Sequence, residues 1–119
     1  MQIEEVLYAA ISSVPELSTL PIRPFVAAED DLAPYIIFTR LPGVRIGSLS
    51  GDSGLVNSHF QIDVYDHDLL EVGRIMSVVR QAILSEIKLG AIHVAERKKF
   101  EPETKLFRCS EDFSFWFFE

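Results

Sequence analysis

Hydrophobic positions open the chain at helical spacing. Ile3, Val6, Leu7, Ala10, Ile11 and Val14 recur three and four residues apart, which predicts an amphipathic helix that Pro15 stops. Glu4 and Glu5 fall in its first turn, where the helix dipole favours negative charge by a few tenths of a kcal/mol up to about 1. From Pro15 to Pro34 the chain carries four prolines and the acidic triplet Glu29-Asp30-Asp31 with little periodicity. This reads as a connector holding one short strand near residues 22–26. Tyr35-Ile36-Ile37-Phe38-Thr39 is β-branched and aromatic and follows a proline, the profile of a buried strand. Phe60, Ile62 and Val64 alternate with His59, Gln61, Asp63 and Tyr65, a second strand with one face in the core. Between the two lie Gly43, Gly47, Gly51 and Gly54 with Ser48, Ser50, Asp52 and Ser53, and this composition predicts a long, mobile hairpin loop.

Asp68, with Glu71 three residues on, is a variant of the capping box and opens a second helix. Leu69, Val72, Met76, Val79 and Ile83 form its buried stripe, Arg74, Ser77, Gln81, Ser85 and Lys88 the opposite one, and Gly90 suits the position past its end. Gly73 costs about 1 kcal/mol relative to alanine inside a helix, so it marks either close packing or a tolerated defect. Residues 91–100 and 105–118 read as two further strands around the turn Glu101-Pro102-Glu103-Thr104. In the last strand Phe107, Cys109, Phe113, Phe115 and Phe117 share one phase, while Trp116 and Phe118 take the other. Either both faces are covered within the chain, or the outer aromatics meet another chain. Phe113, Phe115, Trp116 and Phe118 are therefore candidates for a subunit interface. The order helix, strands, helix, strands predicts one α+β domain over residues 1–119, a mostly antiparallel sheet with both helices packed on one face.

Composition narrows the function. The chain has 119 residues, 48% hydrophobic and 24% charged, an ordinary globular balance in which disorder has no place. Eleven basic against eighteen acidic side chains leave a charge of −7, the wrong sign for a binder that grips phosphates through released counterions. The one basic run, Arg97-Lys98-Lys99, reads as a solvated strand end. The apolar runs are short of the roughly 20 residues of a membrane span, and Met1-Gln2-Ile3-Glu4-Glu5 is acidic where a signal peptide is basic. No membrane association is expected, and a cytosolic setting is the simplest inference. Cys109 is the single cysteine, so neither an internal disulfide nor a cysteine zinc cluster can form.

Candidate chemistry is sparse. Asp66-His67-Asp68, with His59 or Asp63, has metal-ligand residue types, but consecutive residues at a strand-to-helix junction point apart, and capping accounts for an aspartate there. Ser58, His59 and Asp63 supply the parts of a hydrolytic triad without the G-x-S-x-G elbow that would assemble them. The four glycines match neither a dinucleotide fingerprint nor a phosphate loop. His93 reads as a partly buried strand residue and Cys109 as a core thiol. No catalytic group, cofactor or metal is expected.

The helix, the Pro34-Tyr35-Ile36-Ile37-Phe38 strand after a proline-rich connector, the Gly/Ser-rich segment, and Phe60-Gln61-Ile62-Asp63-Val64-Tyr65 running into a helix near Asp68 together make a pattern. Over nearly the whole chain it resembles the tail-completion, or tail-terminator, proteins of long-tailed bacteriophages, including minor tail protein U-like members. The resemblance implies a non-enzymatic virion protein, assembled in the bacterial cytoplasm, that caps the tail tube and ends its polymerisation. Its implied partners are itself in a hexameric ring, the tail-tube protein and a head-completion or connector protein, with DNA passing through the ring unbound. In that setting Gly47, Ser48, Leu49, Gly51, Asp52, Gly54 and Leu55 are candidates for a loop that orders on contact with the tube or a neighbour. The competing reading is a small ligand-binding or regulatory module that dimerises by extending its sheet.

Overall fold

The computed structural model describes residues 3–48, 51–86 and 92–118, with only the backbone described at residues 3, 42–48, 51–57, 92, 94 and 116–118. The elements run α1 (Ile3–Ser12), β1 (Ile22–Pro24), β2 (Tyr35–Ser48), β3 (Gly51–Asp66), α2 (Leu69–Ser85), β4 (Ile92–Glu101) and β5 (Leu106–Phe118). The five strands form one sheet in the order β1-β2-β3-β5-β4, parallel only between β1 and β2. The fold is therefore α+β with a mostly antiparallel sheet.

The period-two pattern of β3 works as expected. Phe60, Ile62 and Val64 are buried, and the register sets Phe60 against Phe113, Val64 against Cys109 and Ile36, and Ile62 against Phe38. These residues join Val6, Leu7, Ala10 and Ile11 of α1 and Val72, Ile75, Met76, Val79 and Ile83 of α2 in one hydrophobic cluster. Aromatic rings run through it, Phe38 to Phe60 at 6.4 Å and Phe60 to Phe115 at 5.6 Å between centroids. Leu69 leaves the predicted stripe. It occupies the first turn of α2, ahead of the stripe, and is exposed, while Ile75 takes a core position. Asp68 caps α2 as expected, its Oδ1 accepting from Leu70 N–H at 3.0 Å. The helix ends at Ser85 with Glu86 as its C-cap, and Lys88 and Gly90 lie outside the described residues. A β-carbon at Gly73 would meet only the flexible end of Lys98, at 3.6 Å, so the tolerated-defect reading holds.

The largest correction falls on residues 43–54. These are not a long loop. β2 and β3 pair through the segment to Gly47 opposite Asp52 and Ser48 opposite Gly51, and only Leu49 and Ser50, outside the described residues, separate the strands. The pairing absorbs the glycines as irregularities between Leu41 and Val44 and between Ile46 and Gly47. Once two strands are in register, each further pair costs little additional closure entropy, so the pairing continues past its weak positions. Among the described residues β4 pairs as far as Ile92 opposite Ser114, and beyond it the sheet continues as a three-stranded arm of residues 41–48, 51–58 and 115–118. The molecule measures 52 × 28 × 24 Å accordingly.

Candidate assembly surface

The outer face of the sheet carries the odd-numbered residues of β3. Asp63 is almost fully buried there and accepts from Gln61 Nε2 at 3.1 Å, Arg108 Nε at 3.1 Å and Ser110 Oγ. Arg108 continues to Glu101 at 3.5 Å and lies over the Tyr65 ring, which stacks on Tyr35 at 5.0 Å. Burial pushes the Tyr65 phenol up to about 12. Beside this network Arg97 donates to both carboxylate oxygens of Asp112, at 3.1 and 3.0 Å. Each carboxylate in this row is matched by a guanidinium.

The inner face holds a second ionic cluster that pattern reading missed. Glu111 sits in the apolar phase of β5 between Cys109 and Phe113 and is fully buried. Arg80 of α2 forks onto it, Nε donating to Oε1 at 2.8 Å and Nη2 to Oε2, and reaches Glu96 at 3.8 Å. His93 Nε2 lies 3.1 Å from Glu111 Oε1 yet makes no hydrogen bond, the geometry being out of line for one. Glu96, Cys109 and Glu111 bring three donor atoms within 4.8 Å of one another, a spacing a metal ion could span. Arg80 already supplies the positive charge at that point, and burial pushes the Cys109 thiol up to about 11, away from the thiolate a metal would need. The group works as an ion pair that fastens α2 to β5. The signal available in sequence was a single charge standing in an otherwise apolar alternation phase.

The hydrolytic parts are not brought together. His59 and Asp63 are four residues apart along one strand, roughly 13 Å, and Ser58 Oγ accepts from Arg40 Nη2 at 3.2 Å on the opposite face. The Asp66-His67-Asp68 group is likewise dispersed: Asp66 Oδ1 accepts from His67 N–H, Asp68 caps α2, and His67 Nδ1 lies 3.4 Å from the Lys105 carbonyl.

Phe113 and Phe115 belong to the core, fully buried, and so leave the interface set. Trp116 and Phe118 stand on the arm, their backbones opposite Asn57 and Leu55, with side chains outside the described residues. Gly47, Ser48, Gly51, Asp52, Gly54 and Leu55 are strand residues at the arm's tip, and Leu49 lies outside the described residues.

The two edges of the sheet differ. At β1, Pro24 has no N–H and its carbonyl accepts from Val26 N–H at 2.7 Å across Phe25, whose φ is 67°. That γ-turn closes β1 to another strand, and beyond Phe38 the edge on this side is β2 itself. At the opposite edge β4 is ten residues long and exposes Glu96, Arg97, Lys98 and Lys99, the charges with which natural edges resist uncontrolled pairing. Arg97-Lys98-Lys99 thus lies within the edge strand, solvated as expected. Among the described residues no helix is long and apolar enough to cross a membrane. No family model and no curated protein matches the chain.

Proposed function

We propose that this chain is a tail-completion subunit of a long-tailed bacteriophage. In this reading it forms a ring, the expected number of copies being six, that caps the tail tube, stops its growth and presents a surface to a head-completion or connector protein. It acts in the virion tail after assembly in the host cytoplasm, as a structural protein without cofactor. The observation that carries the reading is the three-stranded arm, a thin sheet extension joined to a compact body with unlike edges. Unlike edges favour heterologous contacts, which close into rings when the rotation allows it. The arm is a natural contact to a tube or a neighbour, with Trp116 and Phe118 at one strand and residues 47–55 at its tip. The acid excess supports a channel through which DNA slides, since like charge weakens binding to phosphates. The open β4 edge also permits a two-fold dimer, so the test must separate the two.

Native mass spectrometry over a concentration series, with and without purified tail-tube protein, does so. Six copies of 13.5 kDa give a species of about 81 kDa, alone or induced by tubes. A stable dimer of about 27 kDa, twice 13.5, that ignores tubes refutes the reading. Trp116→Ala is expected to weaken ring formation or tube capping, and deletion of residues 48–53 to impair capping. Normal behaviour of both variants would remove the arm from the contact.

A further inference from the structure

We infer that successive copies of this chain join head to tail through two opposite-edge patches of opposite charge, an acidic, apolar knob beside β1 and a basic strip on β4. This deepens the ring reading above and rests on it.

The knob is residues 25–32. Phe25, Val26 and Leu32 are 67%, 72% and 81% exposed, a concentration of large apolar side chains that a chain of this size rarely leaves in water without use. The segment is held in shape. Asp31 accepts from Arg23 Nε at 3.0 Å, from Arg23 Nη2 at 3.1 Å and from Ala28 N–H at 2.8 Å, which ties the connector back to β1. Phe25 N–H donates to Phe38 at 3.0 Å, and its φ of 67° is a conformation bulky residues rarely adopt. A strained backbone braced on both sides so that an aromatic ring stands in solvent is the kind of outlier found at ligand clamps and contacts. Glu29 and Asp30 belong to the same segment, are exposed, and form no ion pair among the described residues.

The strip lies at the other end of the sheet order, three strands away from β1's partner β2. Lys98, whose amine reaches past α2 beside Gly73, and Lys99, on the other face of the strand, are exposed along the β4 edge and likewise form no ion pair among the described residues, whereas Arg97 is taken up by Asp112. Next to them Phe100 is 45% exposed, its inner side packed on Phe107 at 4.9 Å. Each edge therefore offers one aromatic surface and two spare charges, those of β4 one on either side of the strand, and the charges of the two edges are opposite. A two-fold contact centred on either patch would set acid on acid or base on base, because that patch then meets itself. An edge-to-edge, head-to-tail contact pairs knob with strip, and the patches sit on opposite edges, as propagation around a ring requires. The contact runs through side chains, since Pro24 and the γ-turn leave β1 unable to accept a strand.

Charge reversal tests the pairing. Lys98→Glu/Lys99→Glu makes both patches acidic, and Glu29→Lys/Asp30→Lys makes both basic. All four positions are exposed, so α2 helicity and melting should stay near wild type. Each variant alone should lose the oligomer seen for the wild type, alone or on tail tubes, by about tenfold or more in association constant. An equimolar mixture should recover it in even-numbered rings, because acidic strip then meets basic knob and basic strip meets acidic knob at alternate contacts. If either variant folds poorly, the neutral pair Lys98→Gln/Lys99→Gln and Glu29→Gln/Asp30→Asn should weaken association and make it less sensitive to salt. Normal assembly by each variant alone overturns this interface and leaves the ring reading standing. Loss in both variants without recovery on mixing also overturns the pairing. A wild type that forms no oligomer at any concentration, with or without tubes, overturns the ring reading and this contact together.

Discussion

Arg80→Met is expected to be the most costly charge deletion in the protein, and the reason lies in the unequal burial of the pair. Glu111 is fully buried between Cys109 and Phe113, with Ile62 opposite it on β3, whereas Arg80 keeps 32% of its side chain in contact with water. Removing the guanidinium leaves a buried carboxylate with only the off-line His93 contact and the like charge of Glu96 nearby. Breaking a buried pair this way costs about 3–5 kcal/mol, and partial exposure of the arginine places the expectation near the lower end, about 3 kcal/mol. For a domain of this size that is a drop in melting temperature of about 10 °C or more. Arg97→Met is the matched control, because its partner Asp112 retains contact with water and Arg97 is half exposed, so the loss should stay at or below about 1 kcal/mol. The double variant Arg80→Met/Glu111→Leu fills the site with apolar groups and removes the orphaned charge. It should recover most of the loss, since replacing a buried pair by hydrophobic residues is often neutral or stabilising. Urea denaturation followed by circular dichroism on the four proteins measures all three differences. If Arg80→Met costs no more than Arg97→Met, or the double variant is as unstable as the single one, the orphaned-charge account is wrong.

Asp68→Ala removes the acceptor that satisfies Leu70 N–H and should cost about 1 kcal/mol, read from the same denaturation curves. Gly73→Ala should raise stability by about 0.5–1 kcal/mol, because the helix loses a flexible residue and the new methyl meets only the movable end of Lys98. A loss instead would mean a neighbour closer than the structure has it. The Cys109 thiol should resist alkylation at pH 8 in the folded protein and react fully once unfolded, as followed by intact mass. Its pKa is raised from 9.0 to about 11 by burial, so its effect on stability is absent below pH 9, where neither state ionises. Between pH 9 and 11 the unfolded thiol ionises first, and stability should fall by up to about 1.4 kcal/mol per pH unit. A Cys109→Ala variant should lack that alkaline decline, and an unchanged slope would assign it to another group.

Local pattern determined much of this molecule. The stripe from Val6 to Ile11, the Asp68 cap and the alternation of Phe60, Ile62 and Val64 all depend on neighbours within a few residues, and periodicity reports such neighbours directly. The α+β class follows from the order of those elements. What pattern reading missed depends on partners far along the chain. Glycine and serine in residues 43–54 describe weak strand propensity, yet pairing in register overrides it, and that register is set by core packing of Phe38, Phe60 and Phe113 farther down the same strands. Glu111 reads as a polar interruption of β5, and only the approach of Arg80 from α2, 31 residues away in sequence, makes its burial tolerable. The charges of 29–30 and 98–99 were visible as two short runs. That they occupy opposite edges of one sheet was decided by the strand order β1-β2-β3-β5-β4, which places the fifth strand between the third and fourth. Sequence thus determined the elements through short-range periodicity, and tertiary structure determined the surfaces, because a surface is made of residues that only long-range pairing brings side by side.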